Sequence, residues 1–214
     1  MKKIVLDNVL PHVFQDGRPI CSDVWNSQVS LERGKLYLVE AASGTGKSSM
    51  LSYIYGYRID YSGTIHFDDR ELKSYTVEDW VQLRQCRISI LFQELRLFPE
   101  LTAWENIIIQ NQLTSHKTDD EIHAYFEALG IGDKETQLCG KLSFGQQQRV
   151  AMIRSLCQPF DFVFLDEPIS HLDEVNSGIM GRLVVEEAKR QGAAIIVTSI
   201  GKHIDLPYDH IFKL

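Results

Sequence analysis

An apolar run that ends in a glycine-rich turn and a lysine constrains this chain more than any other feature. Residues 36–40 read LYLVE, and residues 41–49 read AASGTGKSS. The β-formers Leu36 to Val39 predict a strand, and the loop opens a helix over about 46–56 that closes near Gly56. Gly44 and Gly46 let backbone N–H groups turn inward without a Cβ in the way. That makes an anion-sized nest at a helix N-terminus. At this spacing Lys47 would reach the β- and γ-phosphates of a nucleotide, and the Ser48 hydroxyl would ligate Mg²⁺. Ser43, Thr45 and Ser49 complete the candidate phosphate-binding set. The pattern G-x-x-x-x-G-K-[ST] is met except at its first position, where Ala41 stands. Alanine fits there if the local φ is negative.

A second run, Phe162-Val163-Phe164-Leu165, ends in Asp166 and Glu167. In a parallel sheet, ligands sit beyond the carboxyl ends of the strands, the edge that also carries the phosphate loop. Asp166 would hold Mg²⁺ there, and Glu167 would polarise an attacking water as general base.

Around these runs the texture alternates. Short strands are expected at Ile4–Leu6 and Thr64–Phe67, with a turn at Asp16-Gly17, and ISILF at 88–92 reads as a strand covered on both faces. From about 95 to 143 the patterning is helical, with Ile122, Tyr125, Phe126 and Leu129 on one stripe of 119–129. Helices near 145–157 and 174–190 and a strand at 194–198 follow. Strands alternating with helices imply a parallel α/β sheet interrupted by a helical insertion.

Composition narrows the class. The 214 residues are enough to bury a core without staples. Charge counting gives 22 basic against 29 acidic residues, a net of −7, which argues against nucleic acid as partner. No apolar run reaches the roughly 18 residues of a spanning helix, and Ile4-Val5-Leu6 is far short of a signal h-region. Cys21, Cys86, Cys139 and Cys157 are scattered without metal-type spacing, so reduced, buried thiols are expected. The seven histidines show no HxH or HExxH pattern, so no protein-bound metal site is expected. Asp68-Asp69 and the run Lys117–Glu121 read as solvated acids and an exposed helix start. A chain acting in the cytoplasm follows.

Two further segments give a specific resemblance. Residues 142–149 read LSFGQQQR and residues 92–107 read FQELRLFPELTAWENI. With the phosphate loop and the acidic strand end, in this order, they resemble the ATP-binding cassette (ABC) ATPase domain over essentially the whole chain. The resemblance implies a P-loop NTPase parallel-sheet core with an N-terminal antiparallel β subdomain and an inserted helical subdomain. The core and β subdomain would take about 1–94 and 158–214, the helical subdomain about 95–157. It implies ATP and Mg²⁺ as cofactors, with Gln93 sensing the metal and the water. Ser143, Gly145 and Gln146 would touch the γ-phosphate of ATP held by an opposing subunit. Residues 170–173 would line the dimer seam, and Phe14 would stack on adenine, in competition with Trp25 and Tyr37. Ser143 and Gln146 also match the capping box S-x-x-Q, worth about 1 kcal/mol to a helix start.

Two positions depart from the family pattern. Phe144 replaces the first glycine of the signature, and Ser199 stands where a switch histidine is normal. Serine can donate to a γ-phosphate but is shorter and carries no imidazole charge. His203, four residues on, reads as a surface loop residue. Slow ATP hydrolysis with ATP binding intact is therefore expected, catalysed by Glu167, Gln93, Lys47 and Ser199. The resemblance further implies a homodimer or heterodimer of ATPase subunits, peripheral on the cytoplasmic face and energising separate membrane permease subunits. It resembles most the short ATPases of lipoprotein release, macrolide-type efflux or envelope remodelling. The alternatives are a mechanotransmission complex that moves no solute, and a soluble ABC protein of repair or translation.

Overall fold

The computed structural model describes residues 1–15, 21–42 and 44–214. The expected turn at Asp16-Gly17 and the phosphate-loop residue Ser43 lie outside the described residues. The chain opens with β1 (Lys3–Pro11), β2 (Gln28–Glu32), β3 (Leu36–Glu40) and α1 (Lys47–Ile54). Next come β4 (Tyr61–Phe67), β5 (Arg70–Glu71), α2 (Val77–Cys86) and β6 (Ile88–Leu91). α3 (Ala103–Asn111), α4 (Asp119–Ala128) and α5 (Phe144–Leu156) precede β7 (Phe162–Asp166). α6 (Glu174–Gln191), β8 (Ala194–Ser199) and β9 (His210–Lys213) complete the fold.

The apolar runs become the inner strands of a five-stranded parallel sheet in the order β6-β7-β8-β3-β9. Every residue of β7 and β8 is buried, which explains why their sequences show no alternation. The pleat divides their side chains between two cores. Val163, Leu165, Ile195 and Val197 join α3 to α6 on one face. Phe162, Phe164, Ala194 and Ile196 join α1 and an antiparallel sheet of order β2-β1-β4-β5 on the other. A parallel core, an antiparallel β layer and a helical insertion after β6 are thus all present.

Local sequence explains the helix starts. Capping boxes close α2 (Thr76, Asp79), α3 (Thr102, Glu105), α4 (Thr118, Glu121) and α5 (Ser143, Gln146). Asp173 caps α6 through its side chain. α1 differs, because its N-cap is Gly46, which has no side chain to offer. Its first N–H groups therefore gain no side-chain cap from that residue.

Three expectations need correction. Lys117 is not on an exposed face: its side chain is 1% exposed and its Nζ bonds Glu187 of α6 at 2.6 Å. The run 117–121 turns inward at its first residue because that charge has a partner 70 residues away. The thiols are only partly buried. Cys139 and Cys157 are enclosed, and burial pushes the Cys157 thiol up to about 12. Cys86 is half-buried on α2, a helix that encloses only Leu83, and Cys21 is exposed. Asp68, at a left-handed turn (φ 53°), accepts from the Lys2 and Lys3 amides at 2.7 and 3.0 Å rather than facing water alone.

Candidate nucleotide site

The carboxyl ends of β3 and β7 are separated by β8 alone, so the phosphate loop and the acidic pair open at the same edge. A cavity of about 410 Å³ lies there. Gly44, Gly46, Lys47, Ser48 and Ser49 form its floor, and Phe14, Gln93 and Glu167 its walls. Gly44 (φ 83°) and Gly46 (φ 98°) are left-handed, and a Cβ on Gly46 would come within 3.0 Å of Phe14 and 3.1 Å of Trp25. Ala41 is not among the left-handed residues, which is why alanine serves at that position. Trp25 donates from Nε1 to the Thr45 carbonyl at 2.9 Å and so holds the loop from below.

Lys47 is 6% exposed. Its Nζ bonds the Glu167 carboxylate and lies 3.7 Å from Asp166 Oδ1. Burial lowers the pKa of Lys47, and the Asp166 charge opposes that. Burial likewise raises Asp166, opposed by the Thr198 hydroxyl, which donates to its Oδ1 at 2.6 Å, and by Lys47. Thr198, on the neighbouring strand, thereby fixes one carboxylate oxygen and leaves the other available. Asp166 and Ser48 line a second, smaller recess of about 50 Å³ beside the main cavity. Hydroxyl, carboxylate and the Gln93 amide oxygen are hard donors of the kind Mg²⁺ takes.

The structure separates the aromatic candidates. Trp25 and Tyr37 are 2% and 1% exposed in the core, whereas Phe14 is half-buried and lines the cavity. Gln93 is exposed just beyond β6, and Arg154 of α5 bonds the Leu95 and Arg96 carbonyls at 2.5 and 2.7 Å. The loop carrying Gln93 is thus tied to the helical subdomain. Ser143, Gly145 and Gln146 lie at the start of α5, outside the cavity.

Ser199 also stands outside it. It is 1% exposed, and its hydroxyl donates to the Lys202 carbonyl at 2.5 Å. The next residue, Ile200, is 47% exposed and lines the cavity instead. Ile200, Val13 and Ala42 are lining residues that sequence reasoning missed. An apolar side chain in the polar turn after β8 was the signal for Ile200. His203 is half-buried against Tyr208, not a free surface residue.

The sequence pattern of the family described as "ABC transporter" matches residues 24–170, more than half of the chain. The chain belongs to the ABC transporter family. Within it, the ATP-binding protein of the lipoprotein-releasing system, LolD, of Shewanella denitrificans is 29% identical over 92% of this chain and 86% of its own length. The ATP-binding protein TmoW of a trimethylamine N-oxide transport system, from Pelagibacter ubique, is 36% identical over 78% of this chain. This chain spans only 49% of TmoW's length. A dimeric bacterial ABC transporter cassette superposes with a TM-score of 0.77 at 24% identity, covering 92% of this chain and 87% of that one. The shared fold is the P-loop α/β fold of ABC cassettes, and the chain is a nucleotide-binding domain of an ABC system.

Proposed function

We propose that the chain binds and hydrolyses ATP and, as a dimer, energises separate membrane subunits. The observation that carries the reading is the meeting of Lys47 and Glu167 in one phosphate-loop cavity, with Asp166 3.7 Å from Lys47 in the adjoining recess. Lys47 and the open N-terminus of α1 take the phosphates, and Phe14 takes the adenine face. Ser48, Asp166 and Gln93 would hold Mg²⁺, which supplies charge neutralisation on the phosphates. Glu167 accepts the proton of the attacking water. Gly44, Thr45, Gly46 and Ser49 complete the cradle. Phosphates must draw Lys47 away from Glu167, and that leaves the carboxylate free to act.

The position of Ser143, Gly145 and Gln146 outside the cavity fits a site completed by the signature of a second copy or a similar chain. The −7 charge and the absence, among the described residues, of any helix long and apolar enough to cross a membrane fit a subunit that docks on a permease from the cytoplasmic side. Similarity over most of its length to LolD, the ATP-binding protein of a lipoprotein-releasing system, favours a transport or extrusion partner over the mechanotransmission and soluble alternatives.

Titrating the purified chain with MgATP, and following phosphate release, tests the reading. Saturable binding with turnover is expected, and a chain that binds no ATP overturns it. Phe14→Ala should weaken ATP binding by roughly 5- to 100-fold, the worth of one base–aromatic stack, in an isothermal titration. Ser199→Ala should change turnover by less than about threefold, because the hydroxyl is spent on Lys202 and does not reach the phosphates. A tenfold loss in steady-state assays would return Ser199 to the catalytic set.

A further inference from the structure

Glu167 has a left-handed backbone (φ 49°), unusual for a residue with a side chain, and it precedes Pro168, whose ring crowds its neighbour. Such a conformation persists only where the surroundings hold it. On one side the Glu167 N–H donates to the Thr198 carbonyl at 3.1 Å. On the other side the restraint comes from a different element. Gln148 of α5 is 2% exposed, and its Nε2 donates to the Pro168 carbonyl at 2.6 Å and the Glu167 carbonyl at 3.3 Å. Its Oε1 has no hydrogen-bond partner among the described residues. A buried amide oxygen left unpaired is costly, so the side chain is kept in place by what its NH₂ group does.

Gln148 also connects two regions. It stands three residues after Gly145, and a Cβ on Gly145 would come within 3.3 Å of the His171 carbonyl. The Phe144 ring packs on the His171 imidazole with centroids 4.3 Å apart. The start of α5 and residues 167–172 are therefore one packed unit. We propose that Gln148 is a positioning residue for hydrolysis. It fixes the backbone of Glu167 and, because it rides on α5, ties the general base to the signature turn of the same chain. A γ-phosphate held at that turn would then set the base for the chain's own ATP. The inference rests on Glu167 acting as base in the function proposed above.

Gln148→Met keeps the length of the side chain and removes both donors. Turnover should fall about tenfold or more, as expected when a reacting group is displaced by a fraction of its contact distance. KM and the equilibrium affinity for ATP should stay within about threefold, with cooperative thermal unfolding retained. Parental turnover, or joint loss of turnover and ATP affinity, overturns the proposal. In a Glu167→Gln chain the same substitution should leave the residual single-turnover rate unchanged, since there is no base to misplace. A further tenfold loss there would show that Gln148 acts through another group and overturns the proposal. Should the methionine variant not fold, Gln148→Asn, which keeps the NH₂ one methylene short, is read by the same criteria. If Glu167→Gln alone turns over like the parent, the general-base reading fails, whatever Gln148 does.

Discussion

Glu167→Gln should lower the rate of phosphate release from ATP by about 10²- to 10⁴-fold, the usual contribution of a positioned base. ATP affinity should stay equal or become tighter. Glu167 is the bonded partner of Lys47, and removing its charge releases the ammonium to the phosphates. The variant should therefore accumulate with ATP bound, as the dimer that the signature geometry calls for. Light scattering at saturating MgATP checks the second point, and phosphate release under single turnover checks the first. A variant that remains monomeric under those conditions would count against the two-subunit site. One that hydrolyses at the parental rate would remove Glu167 from the chemistry.

The largest effect on stability is expected from Glu187→Ala. Glu187 is 3% exposed and accepts from Lys117 at 2.6 Å, Tyr125 at 2.9 Å and Gln191 at 2.6 Å, with His116 at 3.3 Å and Arg190 at 3.0 Å. Burial alone would raise its pKa. The hydrogen bonds from His116, Lys117 and Tyr125, with the Lys117 charge, overturn that and hold the carboxyl far below the usual range. Removing it leaves the Lys117 ammonium enclosed with no close carboxylate among the described residues but Glu121 at 3.7 Å. The expected cost is about 3–5 kcal/mol. At roughly 2–4 °C per kcal/mol for a chain of this size, the melting temperature should fall by about 10 °C. A loss below about 1 kcal/mol would mean that water or Glu121 takes over the charge.

The sign of the acid dependence follows from the same carboxylate. Because its folded pKa is depressed, its contribution is present above the unfolded value near 4.5 and is lost as pH falls below it. Glu187→Gln should flatten the acid limb of stability against pH, measured by urea unfolding between about pH 3 and 7.

The parts of the fold legible in the sequence are those where local pattern and tertiary fate agree. ISILF, FVFL and AIIV are short, largely apolar runs rich in β-formers, of the length that doubly covered strands use. The phosphate loop was legible because glycines, lysine and hydroxyl must stand in a fixed order to meet a phosphate. α2 escaped notice because it encloses only Leu83 and shows no apolar stripe. β9 escaped because its residues are mostly exposed at the sheet edge. Lys117 was misplaced for a deeper reason. A lysine beside acids looks solvated until a glutamate 70 residues away is folded against it. Likewise Gln146 is marked by the capping box, but nothing local distinguishes Gln148 from Gln147, and only the fold shows which of the two reaches the turn at Glu167 and Pro168. Ser199 closes β8, and its hydroxyl turns to the backbone of its own loop.

Asp166 closes β7, the strand enclosed on every residue and flanked on both sides by hydrogen-bonded neighbours. Its amides can meet solvent only when the whole sheet separates, so their exchange with deuterium should be limited by global unfolding. The carboxylates are thus mounted on the slowest-opening part of the molecule, while Phe14 and the Gln93 loop sit on segments that can open locally. Heat or denaturant would loosen Phe14 and the link to the helical subdomain first. The acidic end of the sheet would be the last part of the machinery to go.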